Sequence, residues 1–246
     1  MKSPRSVLLT GASRGIGLAI GHRLAQQGFG LTLAGRDKHR LEEVARDLHA
    51  GGAADVAVAE GDVRDDTYLH ALVETHRATF ETMDALLLNA GAGAAGSLSE
   101  FHIKRFDKQI SLNLRAPFLL VQNSLPLLRA SARESERGGK VIAMASITGM
   151  HAEPELAGYG AAKAALISLC RSINAEENVN GVQATALAPG YVATSMSDFK
   201  HDVLPPEQMI PVSDVVEIVD ALLRMTRRTV VSEIALVRSG ISGPVA

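Results

Sequence analysis

The chain has 246 residues, of which 46% are hydrophobic, and its formal net charge of −2 comes from acidic and basic residues that are mixed along the sequence. This composition suits one large α/β domain, and the lack of a basic block argues against a nucleic-acid or anionic-membrane partner. The single cysteine, Cys170, allows no internal disulfide, and no apolar run is long enough for a signal peptide or a membrane span, so we expect a soluble, cytoplasmic protein.

Short apolar runs alternate with helical segments along the chain. The segments between the first six runs favour helices, such as "IGLAIGHRLAQQG" (16–28) and "KHRLEEVARDLHAGG" (38–52). Most of the runs are apolar throughout, which is typical of strands that a parallel sheet buries on both faces. The alternation therefore predicts a doubly wound α/β fold. The predicted strands are residues 6–10, 30–34, 55–60, 85–89, 140–146, 182–188 and 233–238.

A glycine-rich stretch, "LLTGASRGIGLAI", joins the first predicted strand to the first helix. Without Cβ atoms at Gly11, Gly15 and Gly17, the backbone can approach a pyrophosphate, and the helix N-terminus supplies N–H groups and positive potential. The alternative is a turn that merely needs positive φ angles. We expect this loop to bind a nucleotide.

A tyrosine and a lysine stand four residues apart in "GYGAAKAALISL" (158–169), a segment whose alanines and leucines favour a helix. Four residues are about one helical turn, so Tyr159 and Lys163 share a face. A nearby ammonium favours the phenolate, so Lys163 is expected to lower the pKa of Tyr159 from its ordinary value of about 10. An incidental pair on a surface helix is the alternative.

The order of the motifs resembles that of the short-chain dehydrogenase/reductase family. "TGASRGIG" resembles its TGxxxGIG motif, and "NAG" (89–91) resembles the end of its NNAG motif, with Leu88 in place of the first Asn. Asn113 in "SLNLRAP", Ser146 after "VIAMA", the YxxxK pair Tyr159 and Lys163, and "APG" (188–190) with Thr194 follow in the family's order. The resemblance runs from about residue 5 to residue 240. It weakens at the end, where "VRSG" stands in place of an Asp-Gly-Gly.

The resemblance implies a single NAD(P)-binding Rossmann domain over residues 1–246, with a predominantly parallel seven-stranded sheet and helices on both faces. It also implies hydride transfer between a nicotinamide and a carbonyl or secondary alcohol, with Tyr159 as general acid/base and Ser146 bound to the substrate oxygen. Lys163 would contact the nicotinamide ribose, and Asn113 would support a water-linked proton relay or, alternatively, serve as a structural amide at a helix kink. No metal site is expected. The expected cofactor contacts are Gly11, Ser13, Arg14, Gly15, Ile16, Gly17, Arg36, Asp62, Val63, Asn89, Ala90, Gly91, Tyr159, Lys163, Pro189, Gly190, Val192 and Thr194.

The end of the second strand, "LTLAGRD", bears on the choice of nicotinamide cofactor. Gly35 stands where NAD-using relatives carry a ribose-binding acid, and Arg36 can pair with a 2′-phosphate, as can Arg14. NADP(H) is therefore favoured, and NAD(H) remains possible because Asp37 lies near the spacing of the ribose-binding acid. We interpret Asp37 as the N-cap of the next helix. For Asp62, an adenine contact and a helix cap are equally open.

The substrate is expected to lie over the nicotinamide, between residues 147–158 and the irregular segment 190–211, which we call the substrate loop. Met150, Met196 and Phe199 would suit an apolar substrate, and His151 and Glu153 could add polar contacts, although surface or packing roles are as good an interpretation for each.

Four further interpretations concern partners and alternatives. The apolar segments 112–128 and 164–173 favour packing against another subunit, and the resemblance implies a homotetramer through these two helices, with a dimer as the runner-up. A 3-oxoacyl-[acyl-carrier-protein] reductase is one alternative function, for which Arg129, Arg133 and Arg171 could offer a basic surface to an acidic carrier. A nucleotide-binding regulator without turnover is another. A related epimerase or dehydratase is a third, although such proteins are usually longer.

Overall fold

The computed structural model describes residues 4–240, and its centre is one sheet of seven strands that are all parallel. The strands are β1 (Ser6–Thr10), β2 (Gly30–Gly35), β3 (Asp55–Glu60), β4 (Ala85–Leu88), β5 (Gly139–Met144), β6 (Val182–Pro189) and β7 (Glu233–Leu236). The helices are α1 (Gly15–Gln26), α2 (Lys38–Ala50), α3 (Asp66–Phe80), α4 (Ile103–Ile110), α5 (Ala116–Glu134), α6 (Ala157–Glu177) and α7 (Val212–Arg224). The expected doubly wound, seven-stranded parallel sheet is confirmed.

Helices cover both faces of the sheet and enclose two layers of buried hydrophobic side chains. α1, α2 and α7 pack on one face, and α3, α5 and α6 pack on the other. Because strand side chains alternate, Val7 and Leu9 of β1 enter the first layer and Leu8 enters the second. The central strands are buried throughout, as their apolar sequences predicted, whereas the edge strands β3 and β7 are partly exposed.

The strand order β3-β2-β1-β4-β5-β6-β7 places the first strand in the middle of the sheet. From β1 the chain first winds outward through β2 to β3, and then returns to β4 on the other side and winds the opposite way. Such a reversal leaves a crevice at the carboxyl ends of the two strands where it occurs. The fold therefore opens a site beside the ends of β1 and β4.

Asn89 ends β4 one residue earlier than its apolar run predicted. Its backbone N–H donates to Oγ1 of Thr10 at 3.0 Å, and its side-chain Nδ2 donates to the carbonyls of Thr10 at 3.2 Å and Gly11 at 3.1 Å. These bonds draw the chain away from the sheet and tie the ends of β1 and β4 together. Asn89 therefore has a scaffold role at the ends of these two strands.

A turn of π-helix, Ser111–Arg115, interrupts the long helical segment between α4 and α5. A π turn shifts the backbone hydrogen bonds from four residues to five, which leaves one carbonyl without its usual donor. Nδ2 of the fully buried Asn113 donates to the carbonyl of Gln109 at 3.0 Å and to that of Ala92 at 2.9 Å. Asn113 therefore donates hydrogen bonds at this break in the α-helix, as the structural alternative for this residue requires.

The substrate loop is fastened at its base. A parallel bridge joins Val192 to Ile210, and the N–H of Ala193 donates to the carbonyl of Ile210 at 2.9 Å. Between these anchors the loop forms two short 3₁₀ turns, Ser195–Lys200 and Pro206–Gln208. Over the part of the chain that the structure describes, none of the helices has the length and apolar character needed to cross a bilayer.

Candidate active site

A cleft of about 600 Å³ lies at the carboxyl ends of the strands. Among the expected site residues, Gly17 and Asn113 lie behind its wall, and all the others line it. Within residues 4–240, no three His, Cys, Asp or Glu side chains come together in a way that could hold a metal ion. The expected residues that line the cleft are Gly11, Ser13, Arg14, Gly15, Ile16, Arg36, Asp62, Val63, Asn89, Ala90, Gly91, Ser146, Tyr159, Lys163, Pro189, Gly190, Val192 and Thr194.

The glycine loop runs from β1 into the N-terminus of α1, which opens on the cleft. Gly11 and Gly15 have φ angles of +66° and +55°, which favour glycine. Gly17 is needed for space, because a Cβ there would lie 2.2 Å from the carbonyl oxygen of Gly11 and 2.6 Å from Nδ2 of Asn89. The loop thus presents backbone, not side chains, to the cleft, and can hold a phosphate against the helix N-terminus.

The "NAG" turn after β4 links the glycine loop to the reactive side chains. A Cβ on Gly91 would lie 3.0 Å from Oδ1 of Asn113 and 3.4 Å from Nζ of Lys163. Oδ1 of Asn113 is buried and has no hydrogen-bond partner among the described residues. The glycine therefore lets the turn approach both groups closely.

Ser146, Tyr159 and Lys163 meet at the inner end of the cleft, where β5 ends and α6 begins. Oγ of Ser146 accepts from the N–H of Thr148 at 3.3 Å and from its Oγ1 at 2.9 Å. Lys163 is buried, donates from Nζ to the carbonyl of Met144 at 2.7 Å, and lies 5.5 Å from the ring centre of Tyr159. The YxxxK spacing does place both polar groups on one face of a helix.

Burial reverses the expected pKa of Tyr159. It raises the pKa of Tyr159 to about 12, although a hydrogen bond with Ser146 acts in the opposite direction, and it lowers the pKa of Lys163 to about 8. The expectation that Lys163 lowers the tyrosine pKa is therefore wrong for the protein alone. The sequence reveals the cation one turn away but not the desolvation that outweighs it. At neutral pH the phenol carries its proton.

Arg36 lies at the exposed end of β2 on the cleft wall, and Arg14 lies in the glycine loop on the same wall. The next residue, Asp37, caps α2 by accepting from the N–H of Arg40 at 3.0 Å, which confirms its interpretation as an N-cap. Asp37 does not line the cleft, whereas both arginines do.

Asp62 does not cap a helix. Its carboxylate accepts from the backbone N–H and the Nε of Arg64, each at 3.0 Å, and Asp65 is the N-cap of α3. The helix-cap alternative for Asp62 is therefore wrong. The Arg64 guanidinium lowers the pKa of Asp62 to about 2, so this cleft carboxylate is ionised. Sequence reasoning missed Arg64, which the spacing of two residues from Asp62 could have indicated.

The expected substrate walls are only partly found. Thr194, Ser195, Met196 and Ser197 of the substrate loop line the cleft, but no residue of the described segment 147–158 does. Met150 packs against the hydrophobic layer beneath, and His151 is exposed to solvent. The short 3₁₀ turn after Ser146 directs this segment away from the cleft.

Glu153 and Phe199 join the two segments outside the cleft. Glu153 accepts from the hydroxyl of Tyr191 at 2.6 Å and pairs with Nζ of Lys200 at 3.3 Å. Phe199 packs edge-on against the ring of Tyr191, with 6.1 Å between ring centres. Both residues therefore fasten the substrate loop, and neither lines the cleft as expected.

Two cations on α4, Arg105 and Lys108, also line the cleft, and sequence reasoning missed both. Together with Gln109 and Leu112 they recur at helical spacing just before Asn113, which is the signal that could have revealed them.

The chain is similar to known proteins in both sequence and fold. A family model described as "short chain dehydrogenase" matches residues 5–203. The 3-oxoacyl-[acyl-carrier-protein] reductase FabG of Staphylococcus aureus strain N315 is 33% identical over 213 residues, which cover 85% of this chain and 83% of that protein. Among solved structures, an alcohol dehydrogenase from the archaeon Thermococcus sibiricus, complexed with 5-hydroxy-NADP, has a TM-score of 0.83 and 27% identity. Levodione reductase has a TM-score of 0.84 and 26% identity. Each of these two matches covers 96% of this chain and 96% of the chain in the solved structure.

Proposed function

The chain belongs to the short-chain dehydrogenase family of NAD(P)-dependent oxidoreductases acting on CH–OH or C=O groups, and from this premise we propose that it is an NADP(H)-dependent reductase of carbonyl compounds. The observation that carries the proposal is the meeting of Ser146, Tyr159 and Lys163 at the inner end of the cleft. In this proposal residues 1–246 form one NAD(P)-binding domain, with residues 190–211 as its substrate loop.

The cleft suits a nicotinamide dinucleotide. Its glycine loop has no room for a Cβ at Gly17, the N-terminus of α1 opens on it, and Arg14 and Arg36 supply positive charge at one end. When bound, the cofactor supplies or accepts the hydride. Lys163, buried beside Gly91, would hold the nicotinamide ribose, and Asp62 and Val63 would contact the adenine.

Tyr159 supplies the proton for reduction of a carbonyl. Its pKa of about 12 keeps the phenol protonated at neutral pH, so it can hydrogen-bond the carbonyl oxygen and then donate its proton to the developing alkoxide. Ser146 holds the same oxygen, and the hydroxyl of Thr148 orients Ser146 by donating to its Oγ at 2.9 Å. The ammonium of Lys163 stabilises the phenolate that remains, and a positively charged nicotinamide adds to this effect. Asn113 would support the return of the proton from water.

Exchange of Tyr159 for Phe tests this mechanism. We expect kcat for a ketone panel with NADPH to fall by about 10²- to 10⁴-fold, with little change in the Kd of NADPH. Tyr68→Phe is the matched control, since its hydroxyl donates to the carbonyl of Ala59 at 2.8 Å and Tyr68 does not line the cleft. Undiminished turnover in Tyr159→Phe would refute the assignment. Tight NADPH binding without turnover of any ketone by the natural chain would instead support a nucleotide-binding regulator.

The preference for NADP(H) over NAD(H) depends on Arg36. A guanidinium at the end of β2 can pair with a 2′-phosphate, and the structural neighbour from Thermococcus sibiricus is complexed with an NADP derivative. Arg36→Ala should raise the Kd of NADPH by about tenfold or more and leave that of NADH nearly unchanged. Arg46→Ala, which removes an exposed cation of α2 that does not line the cleft, is the control. Equal losses for both cofactors would refute the assignment of Arg36 to the 2′-phosphate.

A 3-oxoacyl-[acyl-carrier-protein] reductase is the second candidate, because the Staphylococcus aureus relative carries that name. The surface considered as a docking site for an acidic carrier has less free positive charge than the arginines in the sequence suggest. Arg129 is held by Glu177 at 2.7 Å and Arg171 by Glu233 at 2.6 Å, so the positive charge of both is largely neutralised. A much higher kcat/KM for a 3-oxoacyl thioester on its carrier protein than for the free thioester would establish this function.

We also propose a cytoplasmic homotetramer, with a dimer as the second possibility, built on α5 and α6. Phe118 of α5 is 51% exposed on a helix whose other side packs against the sheet, which suits a buried position between subunits. The mass from light scattering at micromolar concentration tests the assembly, and a monomer would refute it.

A further inference from the structure

One face of α4 forms a wall of the cleft and carries two cations. Arg105, Lys108, Gln109 and Leu112 follow one another at helical spacing, so they share a face, and all four line the cleft. This row ends at the π turn that places Asn113. Leu112, the last residue of the row, lies in that π turn directly before Asn113.

Neither cation is neutralised within the protein. Among residues 4–240, no carboxylate lies within 4.0 Å of the charged nitrogens of Arg105 or Lys108. The described cleft lining contains a single carboxylate, Asp62, and Arg64 already pairs with it. Both side chains are exposed to solvent where they line the cleft, so the wall of α4 presents positive charge that can attract an anion entering it.

Arg105 belongs to the reacting end of the cleft. Its guanidinium lies 5.3 Å from the ring centre of Phe101, and a Cβ on Gly158, directly before Tyr159 in α6, would lie 3.7 Å from the Phe101 ring. Nε2 of Gln109 donates at 3.2 Å to the carbonyl of Ala94, in the loop that follows the "NAG" turn. The adenosine phosphates have their own cations, since Arg14 and Arg36 follow β1 and β2.

From this placement we infer that the substrate is a carbonyl compound with an anionic group, a carboxylate or phosphate, that Arg105 and Lys108 bind while Tyr159 and Ser146 hold its carbonyl. The inference rests on the proposed reductase function. Arg105 can bind a carboxylate through two parallel N–H donors, and Lys108, one turn further along the helix, adds a second positive charge. The anion would fix the orientation of the substrate, so these residues act on substrate choice and not on proton transfer.

Matched pairs of anionic and neutral ketones test the inference. We would measure kcat/KM with NADPH for acetoacetate and levulinate against their ethyl esters. For at least one pair, the natural chain should prefer the acid by about ten- to a hundredfold, the range expected for charge-assisted hydrogen bonds. The double variant Arg105→Gln/Lys108→Gln should lose this preference while its kcat/KM for the ester stays within about threefold. Lys104→Gln, an exposed lysine of α4 that does not line the cleft, is the control and should keep the preference.

A second pair distinguishes the source of the anion. If the anionic group is the phosphate of a carrier arm, acetoacetyl-coenzyme A should be preferred over the acetoacetyl thioester of N-acetylcysteamine, and the double variant should erase that preference. Equal rates within every pair would overturn the inference and leave the reductase function intact. A parallel rise in the Kd of NADPH in the double variant would also overturn it, because the cations would then serve the cofactor.

Failure of the proposed function gives a different result. If the natural chain turns over neither member of any pair, calorimetric titration of acetoacetate and of acetoacetyl-coenzyme A into the complex with NADPH decides the inference alone. Binding that is lost in the double variant and kept in Lys104→Gln would support it. Absence of binding would overturn it.

Discussion

Replacing Gly17 by Ala tests the close packing of the glycine loop. The new Cβ would lie 2.2 Å from the carbonyl oxygen of Gly11 and 2.6 Å from Nδ2 of Asn89, and the first of these neighbours is backbone that cannot rotate away. The loop must therefore shift and weaken the bond from Asn89 to Gly11 that now measures 3.1 Å. Overpacking of this kind costs about 1–3 kcal/mol.

Because the strain is released by moving the phosphate-binding backbone, most of it should appear as lost cofactor affinity. A loss of about 1–3 kcal/mol corresponds to a Kd for NADPH about 5- to 150-fold higher. The Kd can be measured from the fluorescence of bound NADPH, with a thermal unfolding curve recorded on the same samples to show that the variant is folded.

Gly21→Ala is the matched control, since the residue lies one turn later on α1. Its new Cβ would lie nearest the flexible end of Leu48, at 3.3 Å, and the substitution gains the same helix propensity, about 1 kcal/mol. We expect its Kd for NADPH to stay near that of the natural chain. A folded Gly17→Ala with unchanged affinity would show that the close approach at Gly17 does not shape the cofactor site.

Three further predictions concern stability, the substrate loop and assembly. Burial lowers the pKa of His76 to about 4, so as pH falls from about 6.5 to 4 the unfolded chain binds a proton that the folded chain does not. Urea titrations should therefore show up to about 3 kcal/mol of lost stability over this window. An equally steep loss in His76→Gln would contradict the assignment. Glu153→Gln removes the ion pair with Lys200, worth about 0.5–1 kcal/mol, and should speed amide hydrogen exchange in the substrate loop. The nearby Glu155→Gln should leave the exchange rate unchanged. Unchanged exchange in Glu153→Gln would show that the pair does not hold the loop. If α5 lies between subunits, Phe118→Asp should lower the mass measured by light scattering. Leu98→Asp, at a position outside α5 that is 79% exposed, should leave the mass unchanged. An intact oligomer in Phe118→Asp would show that the interface does not lie on α5.

The sheet was predictable because each of its strands is a short apolar run between helix-forming segments. Local spacing also placed Tyr159 and Lys163 on one face of α6 and identified Asp37 as a cap. These features depend on residues near one another in sequence, where helical and strand periodicities apply directly.

The features that sequence reasoning missed depend on distant contacts. The pKa of Tyr159 follows from the burial that surrounding elements impose, and nothing in YxxxK reports it. Met150 turns into the hydrophobic layer because α6 packs beside it, and Glu153 is occupied by Tyr191 from the substrate loop. Arg105 lines the cleft because of where α4 lies relative to the strand ends, and the residues of α4 alone do not report that placement.

The central position of β1 shapes how the chain can fold as it is synthesised. β1 pairs with β2 at once but must wait for β4, whose Ala85 lies opposite Val7, before its second edge is covered. After that point β5, β6 and β7 each add to the outer edge of the strand made just before. An emerging chain can thus complete the half that carries the glycine loop while Tyr159 is still untranslated, and then extend the sheet strand by strand. The growing edge is open to wrong pairing at each stage.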